Sequence, residues 1–197
     1  MQNQEVVNAS RFYNRISRYI QTILLLLVIV LVCNVTALAI DPKKVHIVGE
    51  YTHDLWRFED GLPQNSIIAI TQTQDGYIWL ATFDGLVRFD GVRFTTFDTG
   101  NAKELRNNRI VQLIPDRTGG LWILTEGEYG VTRFKDGKFT NYSSEQGLPN
   151  DHVSQVCEDK EGSIWIKTDN GLARFKDEKI TAYTVKNGLP TNSIINI

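Results

Sequence analysis

Few side chains in this sequence have the type and spacing that catalysis or metal binding requires. The three histidines, His46, His53 and His152, stand far apart and do not follow the spacing of metal ligands. The sequence contains neither a glycine-rich phosphate-binding loop nor a nucleophile elbow. We therefore predict no catalytic residue, no metal site and no cofactor in this chain.

The carboxylates are numerous, but most stand where a turn needs them, because an Asp side chain accepts hydrogen bonds from the backbone of a turn. Cys157 is the only cysteine outside the hydrophobic N-terminal stretch, so no internal disulfide framework is available. The net charge of −2 lacks the basic surplus of a nucleic-acid binder, and we expect no nucleic-acid partner. The turn carboxylates include Asp75, Asp84, Asp90 and Asp159.

Residues 1–39 have the three-part order of a secretory signal peptide. Three arginines precede an almost entirely apolar run over residues 20–32, and Ala37-Leu38-Ala39 supplies the small residues of a cleavage site. We predict a hydrophobic helix in this segment and cleavage after Ala39. The alternative is an uncleaved membrane helix over about residues 20–40, a span that is long enough for a bilayer. Residues 40–49 are expected to form a linker, and both alternatives predict that the remainder is exported.

Three tryptophans mark a repeat of 43 residues, since they stand at Trp79, Trp122 and Trp165. Each lies in a Gly-x-apolar-Trp-apolar-x-Thr frame, and each frame is followed by Gly-apolar-x-Arg-Phe. A Gly-Leu-Pro turn precedes the first and third copies, whereas Glu104-Leu105-Arg106 replaces it before the second. Self-similarity at a fixed period indicates a repeat architecture. The recurring arginines are Arg88, Arg133 and Arg174.

Each copy contains four short apolar runs separated by tight turns, and Asp-Gly between such runs indicates a hairpin. One four-stranded sheet cannot bury both faces alone, so the copies must stack, and radial stacking gives a β-propeller with blades of about 40–45 residues. We predict an all-β fold: an incomplete β-propeller of about three four-stranded antiparallel blades plus one strand, preceded by the N-terminal hydrophobic helix. Within a propeller portion at 50–197, we place blades at about 64–97, 107–142 and 150–183, and the start of a fourth at 191–197.

The recurring tryptophans and arginines are predicted to be structural. A Trp on the second strand of a blade can fill the wedge between neighbouring blades, and the alternative is a platform on which a ligand stacks. An Arg at the same place in every blade is expected to pair with neighbouring carboxylates or carbonyls. The Leu of Gly-Leu-Pro is expected to lie between blades, while the Pro fixes φ in the turn.

The combined motif resembles the two-component regulator propeller repeat. Its parts are Gly-Leu-Pro-x-Asn-x-Ile, Asp-Gly-x-Ile-Trp-Leu-x-Thr and Gly-Leu-x-Arg-Phe-Asp-Gly, and the resemblance covers about residues 50–197. It implies an extracytoplasmic sensor propeller in front of a membrane helix and a cytoplasmic signalling module, such as a histidine kinase or a diguanylate cyclase. It also implies a glycan or another small extracytoplasmic ligand, and a place in the periplasm or at the periplasmic face of the inner membrane.

Both ends of the repeat region lead us to expect an N-terminal piece of a longer protein. Residues 51–56 match the fourth strand of a blade by register, with Trp56 in the column of Tyr142 and Tyr183. The sequence ends inside the first strand of a fourth copy, whereas closed propellers have about four to eight blades. We therefore expect exposed sheet edges and an exposed apolar inter-blade face.

The leading functional hypothesis is the ligand-sensing, non-catalytic part of a bacterial two-component-type receptor, membrane-tethered in its full-length form. One alternative is a secreted propeller that serves as a protein-interaction scaffold. The other is an extracytoplasmic enzyme on a propeller, for which the sequence supplies no converging acid and base. Ligand contacts in propellers come from variable loops at the mouth of the ring. The second copy carries two extra residues in one such loop, and Glu128 and Tyr129 are its candidate ligand contacts.

Overall fold

The computed structural model describes residues 54–197, so the predicted N-terminal helix and cleavage site lie outside the described residues. The chain divides into a unit of residues 1–55 and a unit of residues 56–197, and the repeats belong to the second. None of the helices between residues 54 and 197 has the length and apolar character that crossing a bilayer requires.

Twelve strands in the described part of the chain form three antiparallel four-stranded sheets, and in each sheet the strands follow one another in chain order. Each sheet comes from one copy of the repeat and is called a blade below. The first blade contains β1 (Ala69–Gln72), β2 (Ile78–Thr82), β3 (Gly85–Phe89) and β4 (Phe94–Phe97). The second contains β5 (Ile110–Pro115), β6 (Leu121–Thr125), β7 (Val131–Lys135) and β8 (Lys138–Tyr142). The third contains β9 (Val153–Glu158), β10 (Ile164–Thr168), β11 (Gly171–Lys176) and β12 (Lys179–Tyr183).

Neighbouring blades meet along their first strands, because β5 contacts both β1 and β9. The Gln112 side-chain amide donates a hydrogen bond of 3.3 Å to the carbonyl of Val156 in the third blade. Gln155 repeats this link one blade further on, since its amide donates to the carbonyl of Ile197 at 3.1 Å. Side-by-side stacking of four-stranded sheets on their first strands is the arrangement of propeller blades. The predicted all-β architecture of antiparallel blades is thus confirmed.

Large apolar side chains fill the spaces between blades. Trp79 and Trp122 are 1% and 0% exposed, and each anchors one inter-blade core. Leu105 and Leu148, which precede the first strands of the second and third blades, are buried in the same two cores. The leucine therefore lies between blades whether a Gly-Leu-Pro turn or Glu104-Leu105-Arg106 carries it.

The connections between blades are clamped by the polar residue that leads into each first strand. The side chain of Asn65 accepts a hydrogen bond of 2.9 Å from the Phe58 amide, and that of Asn108 accepts one of 2.8 Å from the Thr99 amide. The same contact recurs from Asp151 and Asn192 to the connections before them. This recurring clamp explains the Asn or Asp of the repeat, because a connection needs its backbone N–H groups satisfied. The connections contain short 3₁₀ helices at Phe58–Asp60, Lys103–Leu105, Ser144–Gln146 and Val185–Asn187.

The glycine that opens the third strand of each blade is required by close approach to the fourth strand. Gly85 has a φ of 133°, and a Cβ there would lie 2.7 Å from the Phe97 carbonyl oxygen. Gly130 and Gly171 also have positive φ, and a Cβ at either would collide with the corresponding carbonyl of its own blade. The recurring glycine therefore reflects a fixed turn geometry.

Trp56 takes the place that the register predicts, although residues 54–57 form no strand. Its ring centroid lies 5.0 Å from that of Phe89, just as Tyr142 lies 5.2 Å from Phe175 of the third blade. Exposed apolar side chains accompany it on the first blade, where Ile70 is 68% exposed. At the other end of the described chain, residues 191–197 also form no strand.

Candidate functional site

The antiparallel strand order brings two kinds of loop to the same end of every blade. The turn between the second and third strands lies beside the connection that enters the first strand, and we call this the connection end. The two remaining hairpin turns of each blade lie at the opposite, hairpin end. Because the first strands of neighbouring blades lie side by side, the loops that lead into them are also neighbours at the connection end.

A basic residue and a carboxylate meet at the connection end of the second and third blades. Arg109 forms an ion pair with Glu126, and both side chains are about half exposed. In the third blade, His152 Nδ1 lies 2.9 Å from the Asp169 carboxylate but lacks the angles of a hydrogen bond. The sequence places Arg109 and His152 in one column, and their partners follow 17 residues later in both copies. This constant spacing of 17 residues is the sequence signal that identifies Glu126 and Asp169 as the partners of Arg109 and His152.

Arg109 also joins two blades. Its guanidinium carbon lies 4.2 Å from the centroid of the Phe83 ring, which belongs to the β2–β3 turn of the first blade. The guanidinium is therefore held by a ring of one blade and a carboxylate of the next. Cation–π contact of this kind fixes the plane of the guanidinium and leaves part of it exposed to a ligand.

The loop of residues 126–130 is anchored at both of its ends. The Glu126 amide donates to the Arg109 carbonyl at 2.9 Å, and the Gly130 amide donates to the Asp151 carbonyl of the next connection at 2.8 Å. The Tyr129 ring lies against Gly127, where a Cβ would be 2.6 Å from a ring carbon. Four residues separate Thr125 from Gly130, whereas two separate the equivalent residues of the other blades. The two extra residues allow the Tyr129 ring to turn back onto Gly127.

The connection end therefore carries groups that suit a polar ligand. Tyr129 is 44% exposed, Glu128 is exposed, and both stand beside the Arg109–Glu126 pair on one loop. An exposed ring next to fixed hydrogen-bonding groups is the usual composition of a site for small polar molecules. Within residues 54–197, no group of His, Cys, Asp and Glu is arranged to hold a metal ion.

The recurring tryptophans donate their indole N–H to the residue six positions earlier. Trp122 Nε1 donates to Asp116 at 3.0 Å, and Trp165 Nε1 donates to Asp159 at 2.8 Å. In the first blade Thr73 takes the place of the Asp, and it accepts the Trp79 N–H at 2.9 Å. The turn role predicted for Asp159 does not include this hydrogen bond from an indole, and neither Asp116 nor Asp159 was predicted to accept one.

Arg133 stands at the centre of a buried network at the hairpin end. Its guanidinium donates to the Asp116 carboxylate at 2.8 and 3.1 Å and to the Thr118 hydroxyl at 2.9 Å. A fourth hydrogen bond, of 2.8 Å, joins the guanidinium to a third partner, the carboxylate of Glu178 in the third blade. The guanidinium also lies 5.3 Å from the Trp122 ring centroid. Arg133 therefore joins its own blade to the next one.

The protonation of this network is set by its hydrogen bonds. Burial by itself would raise the pKa of Asp116, but hydrogen bonds from Thr118, the Gly120 amide and Arg133 outweigh it and lower the pKa to about 2. For Asp159, the hydrogen bond from Trp165 leads the contributions that lower its pKa to about 2. Both carboxylates are therefore ionised at neutral pH.

The expected pairing of the recurring arginine with carboxylates or carbonyls holds for Arg133 only. Arg88 makes no ion pair or hydrogen bond within residues 54–197, and its guanidinium carbon lies 4.5 Å from the Tyr77 ring centroid. The buried Nε of Arg174 also lacks a hydrogen-bond partner among the described residues. For Arg88 the expectation was wrong within residues 54–197, because pairing depends on neighbours that the repeat does not keep constant.

A glycine beside Arg133 is one reason why this arginine differs from the other two. A Cβ on Gly120 would lie 2.5 Å from an Asp116 oxygen and 2.7 Å from Arg133 Nε, so the pair exists only beside glycine. The equivalent residue is Tyr77 in the first blade and Ser163 in the third. Gly119-Gly120 occurs only in the second copy, and this doublet is the sequence signal for the buried pair.

Glu178 yields a prediction about strain and pairing. Its φ of 57° places a non-glycine residue in the left-handed region, at the position where the second blade has Gly137. Glu178→Ala should lower the free energy of unfolding by about 1 kcal/mol, because the pair with Arg133 is partly exposed. Glu178→Gly should be about 1 kcal/mol more stable than the Ala variant, since glycine relieves the positive φ. Urea unfolding followed by circular dichroism measures both values, and an Ala variant as stable as the Gly variant would contradict the strain.

Three segments of the chain match the family described as the two component regulator propeller. The matched segments are residues 61–84, 104–127 and 147–170, one at each blade. Each matched segment runs from the inter-blade turn to the end of the second strand, so it contains the clamp residue and the tryptophan described above.

Solved structures similar to this propeller include two extracellular domains of hybrid two component systems from B. thetaiotaomicron. For BT3049 the TM-score is 0.58 at 23% identity, and the match covers 77% of this chain and 21% of that one. For BT4673 the TM-score is 0.51 at 23% identity, with 71% and 22% covered. The chain thus spans about a fifth of the length of these relatives, and likeness at this identity shows the fold.

A third similar structure is an enzyme, the virginiamycin B lyase of Staphylococcus aureus. The TM-score is 0.50 at 17% identity, and the match covers 76% of this chain and 50% of the lyase. Among curated proteins, none matches this chain. Extracellular domains and an enzyme thus share this fold, and the fold by itself does not decide the function.

Proposed function

We propose that this propeller is the ligand-sensing portion of an extracytoplasmic receptor of the two-component type. The observation that carries the proposal is the presence of a two-component regulator propeller repeat at every blade. The likeness of the fold to extracellular domains of hybrid two component systems supports it. In this proposal, residues 1–39 export or anchor the chain, residues 40–49 link that segment to the propeller portion at 50–197, and the signalling module belongs to the full-length protein.

In the proposed receptor the ligand binds at the connection end, and the propeller itself is non-catalytic. Tyr129 presents an exposed ring, and the pair of Arg109 and Glu126 presents fixed charges beside it. Sugars are recognised by such combinations, because their apolar faces stack on rings while their hydroxyls need donors and acceptors. A glycan fragment is therefore the ligand class that we propose, and the bound state is relayed to a downstream signalling module.

The proposal predicts that loop substitutions remove binding without unfolding the blade. We expect Tyr129→Ala to weaken the binding of oligosaccharides at least about tenfold, the effect of losing about 1.4 kcal/mol of ring contact. Glu128→Gln should weaken it less, because an exposed carboxylate contributes little through charge alone. The measurement is binding of the 197-residue chain to an array of neutral and acidic oligosaccharides, followed by signalling of the intact receptor.

Matched controls lie at the hairpin end. Val92 is 81% exposed, and Glu161 has an exposed side chain that pairs only loosely with Lys176. Val92→Ala and Glu161→Gln should therefore leave binding unchanged. Recovery of intact oligosaccharide after incubation separates sensing from catalysis, and cleaved product would support the enzyme alternative. Unchanged binding and unchanged signalling in the Tyr129 variant would remove the loop from the site.

A further inference from the structure

Arg88 and Arg133 occupy equivalent places but have different surroundings. Each stands opposite the tryptophan of its blade across the second and third strands, Arg88 beside Trp79 and Arg133 beside Trp122. Arg133 donates hydrogen bonds to two carboxylates and one hydroxyl. Arg88 has ring contacts only, within the part of the chain that the structure describes. The second blade thus shows which partners the first blade lacks.

Three exchanges between the copies account for the difference. Thr73 stands where the second blade has Asp116, and its hydroxyl donates to Asp75 at 2.5 Å. Gly137 stands where the third blade has Glu178, so no side chain at that position reaches the guanidinium. The Asp136 carboxylate of the neighbouring blade lines the cavity without pairing with Arg88. The loss of both acidic partners leaves a guanidinium without a counter-charge at hydrogen-bonding distance. The third exchange is Tyr77, which stands in the first blade where the second blade has Gly120. The Tyr77 ring lies against one face of the Arg88 guanidinium.

The space around Arg88 is a cavity between the first and second blades at the hairpin end. Its volume is about 430 Å³, against about 330 Å³ for the equivalent cavity that Arg133 lines. Its walls are polar as well as aromatic. Asp75 uses Oδ1 for the Thr73 hydroxyl and the Tyr77 amide, so Oδ2 is left to accept from a ligand. The walls include Thr73, Gln74, Asp75, Thr118, Phe134 and Asp136.

We propose that this cavity binds a small hydroxylated organic acid, with its carboxylate on Arg88 and its hydroxyls on the carboxylates of Asp75 and Asp136. A guanidinium binds a carboxylate through two parallel N–H donors, and contact with Tyr77 holds its plane for that purpose. The two acidic residues at the walls accept hydrogen bonds from hydroxyls and repel a doubly charged inorganic anion. The site lies at the end opposite Tyr129, so it goes beyond the proposed sensing site.

Calorimetric titration of the 197-residue chain with gluconate tests the proposal. Gluconate has one carboxylate and a chain of hydroxyls, sorbitol has the hydroxyls alone, and sulfate has the negative charge alone. At constant ionic strength we expect saturable binding of gluconate. Sorbitol should bind at least about tenfold more weakly because it lacks the charged pair with Arg88, and sulfate at least about tenfold more weakly because it lacks the hydroxyls and is repelled by the two carboxylates.

Gly137 supplies a matched pair of variants. Gly137 is the second-blade equivalent of Glu178, so Gly137→Glu should place a carboxylate next to Arg88 as Glu178 does next to Arg133. The new carboxylate should pair with the Arg88 guanidinium, compete with gluconate and weaken its binding at least about tenfold. Gly137→Gln introduces the same side-chain length and the same backbone strain without the charge, and it should bind within about threefold of wild type. Gly137→Glu should also unfold at a higher temperature than Gly137→Gln, because only the former gives Arg88 a partner.

Arg88→Met keeps the apolar contact with Tyr77 and removes the cation, so it should abolish gluconate binding while circular dichroism stays that of the wild type. Tyr129→Ala should keep gluconate binding, which separates this site from the connection end. The proposal is overturned if gluconate and sorbitol bind alike, if wild type shows no saturable binding, or if Gly137→Glu and Gly137→Gln bind gluconate equally.

Discussion

Trp122→Ala is expected to lower the free energy of unfolding by about 3–5 kcal/mol, the cost of truncating a large core side chain. Trp122 is fully buried between the second and third blades, and its ring centroid lies 4.9 Å from that of Phe175 and 5.5 Å from that of Tyr142. Its N–H is also one of the donors to the buried Asp116 carboxylate. The substitution therefore leaves a cavity and an under-satisfied charge in one place.

Urea unfolding of the full chain, followed by far-ultraviolet circular dichroism, measures this change, with an unaltered slope indicating an effect on stability alone. Trp165→Ala is the matched control, because Trp165 has the same place in the third copy but is only partly buried. We expect the control to cost about 1–2 kcal/mol, since less area is removed from the core. Equal losses in the two variants would show that the repeat position, and not its burial between blades, determines the stability.

Arg133→Met is expected to destabilise the chain by about 3–5 kcal/mol at neutral pH, the cost of removing one partner of a buried ion pair. The side chains of Arg133 and Asp116 are 6% and 3% exposed, so Asp116 would keep its charge in a buried place without its cation. Met keeps most of the apolar contact with Trp122, so the loss reflects charge and hydrogen bonding. Arg117→Met is the control, because the Arg117 side chain is half exposed where it pairs with Glu158, and it should cost less than Arg133→Met.

The pH dependence of this difference is a second measure of the same pair. The pKa of Asp116 in the folded protein is about 2, below its ordinary value of 3.8, so its ionised form stabilises the fold above about pH 4. That contribution is lost as the pH falls from about 4 towards 2. In Arg133→Met the pKa of Asp116 should rise, because burial is then opposed by fewer hydrogen bonds. The difference in free energy of unfolding between wild type and Arg133→Met should therefore become smaller as the pH falls from about 4 towards 2. A difference that does not change with pH would show that the ion pair of Asp116 and Arg133 does not stabilise the fold.

Many features of the propeller could be read from the repeat itself. The spacing of Trp79, Trp122 and Trp165 and the turns between apolar runs were enough to predict four-stranded blades. The register also placed Trp56 against the first blade. These features recur because every blade must pack against its neighbours in the same way, so the same residue pattern appears in all three copies. Glu128 and Tyr129 were singled out because the second copy departs from that pattern.

The candidate sites were harder to predict because they depend on pairs that meet across blades. The 17-residue spacing from Arg109 to Glu126 is visible in the sequence, but the contact of Arg109 with Phe83 of the preceding blade is not. Likewise, the doublet Gly119-Gly120 is visible in the sequence, but the close approach of side chains by which Gly120 admits the Asp116–Arg133 pair is not. Whether a recurring arginine is paired or open to a ligand is therefore decided by its neighbours.

The sequence by itself determined the repeat, the blade and its strand order, because hydrophobic alternation and turn chemistry act over a few residues. It also determined which family the repeats resemble. The tertiary structure alone decided which of three equivalent arginines is neutralised, because Asp116 comes from the same blade while Glu178 comes from the next. Charge pairing acts over a few ångströms in space rather than along the chain, so one column of the repeat holds both a structural Arg133 and an Arg88 that has no ion pair within residues 54–197.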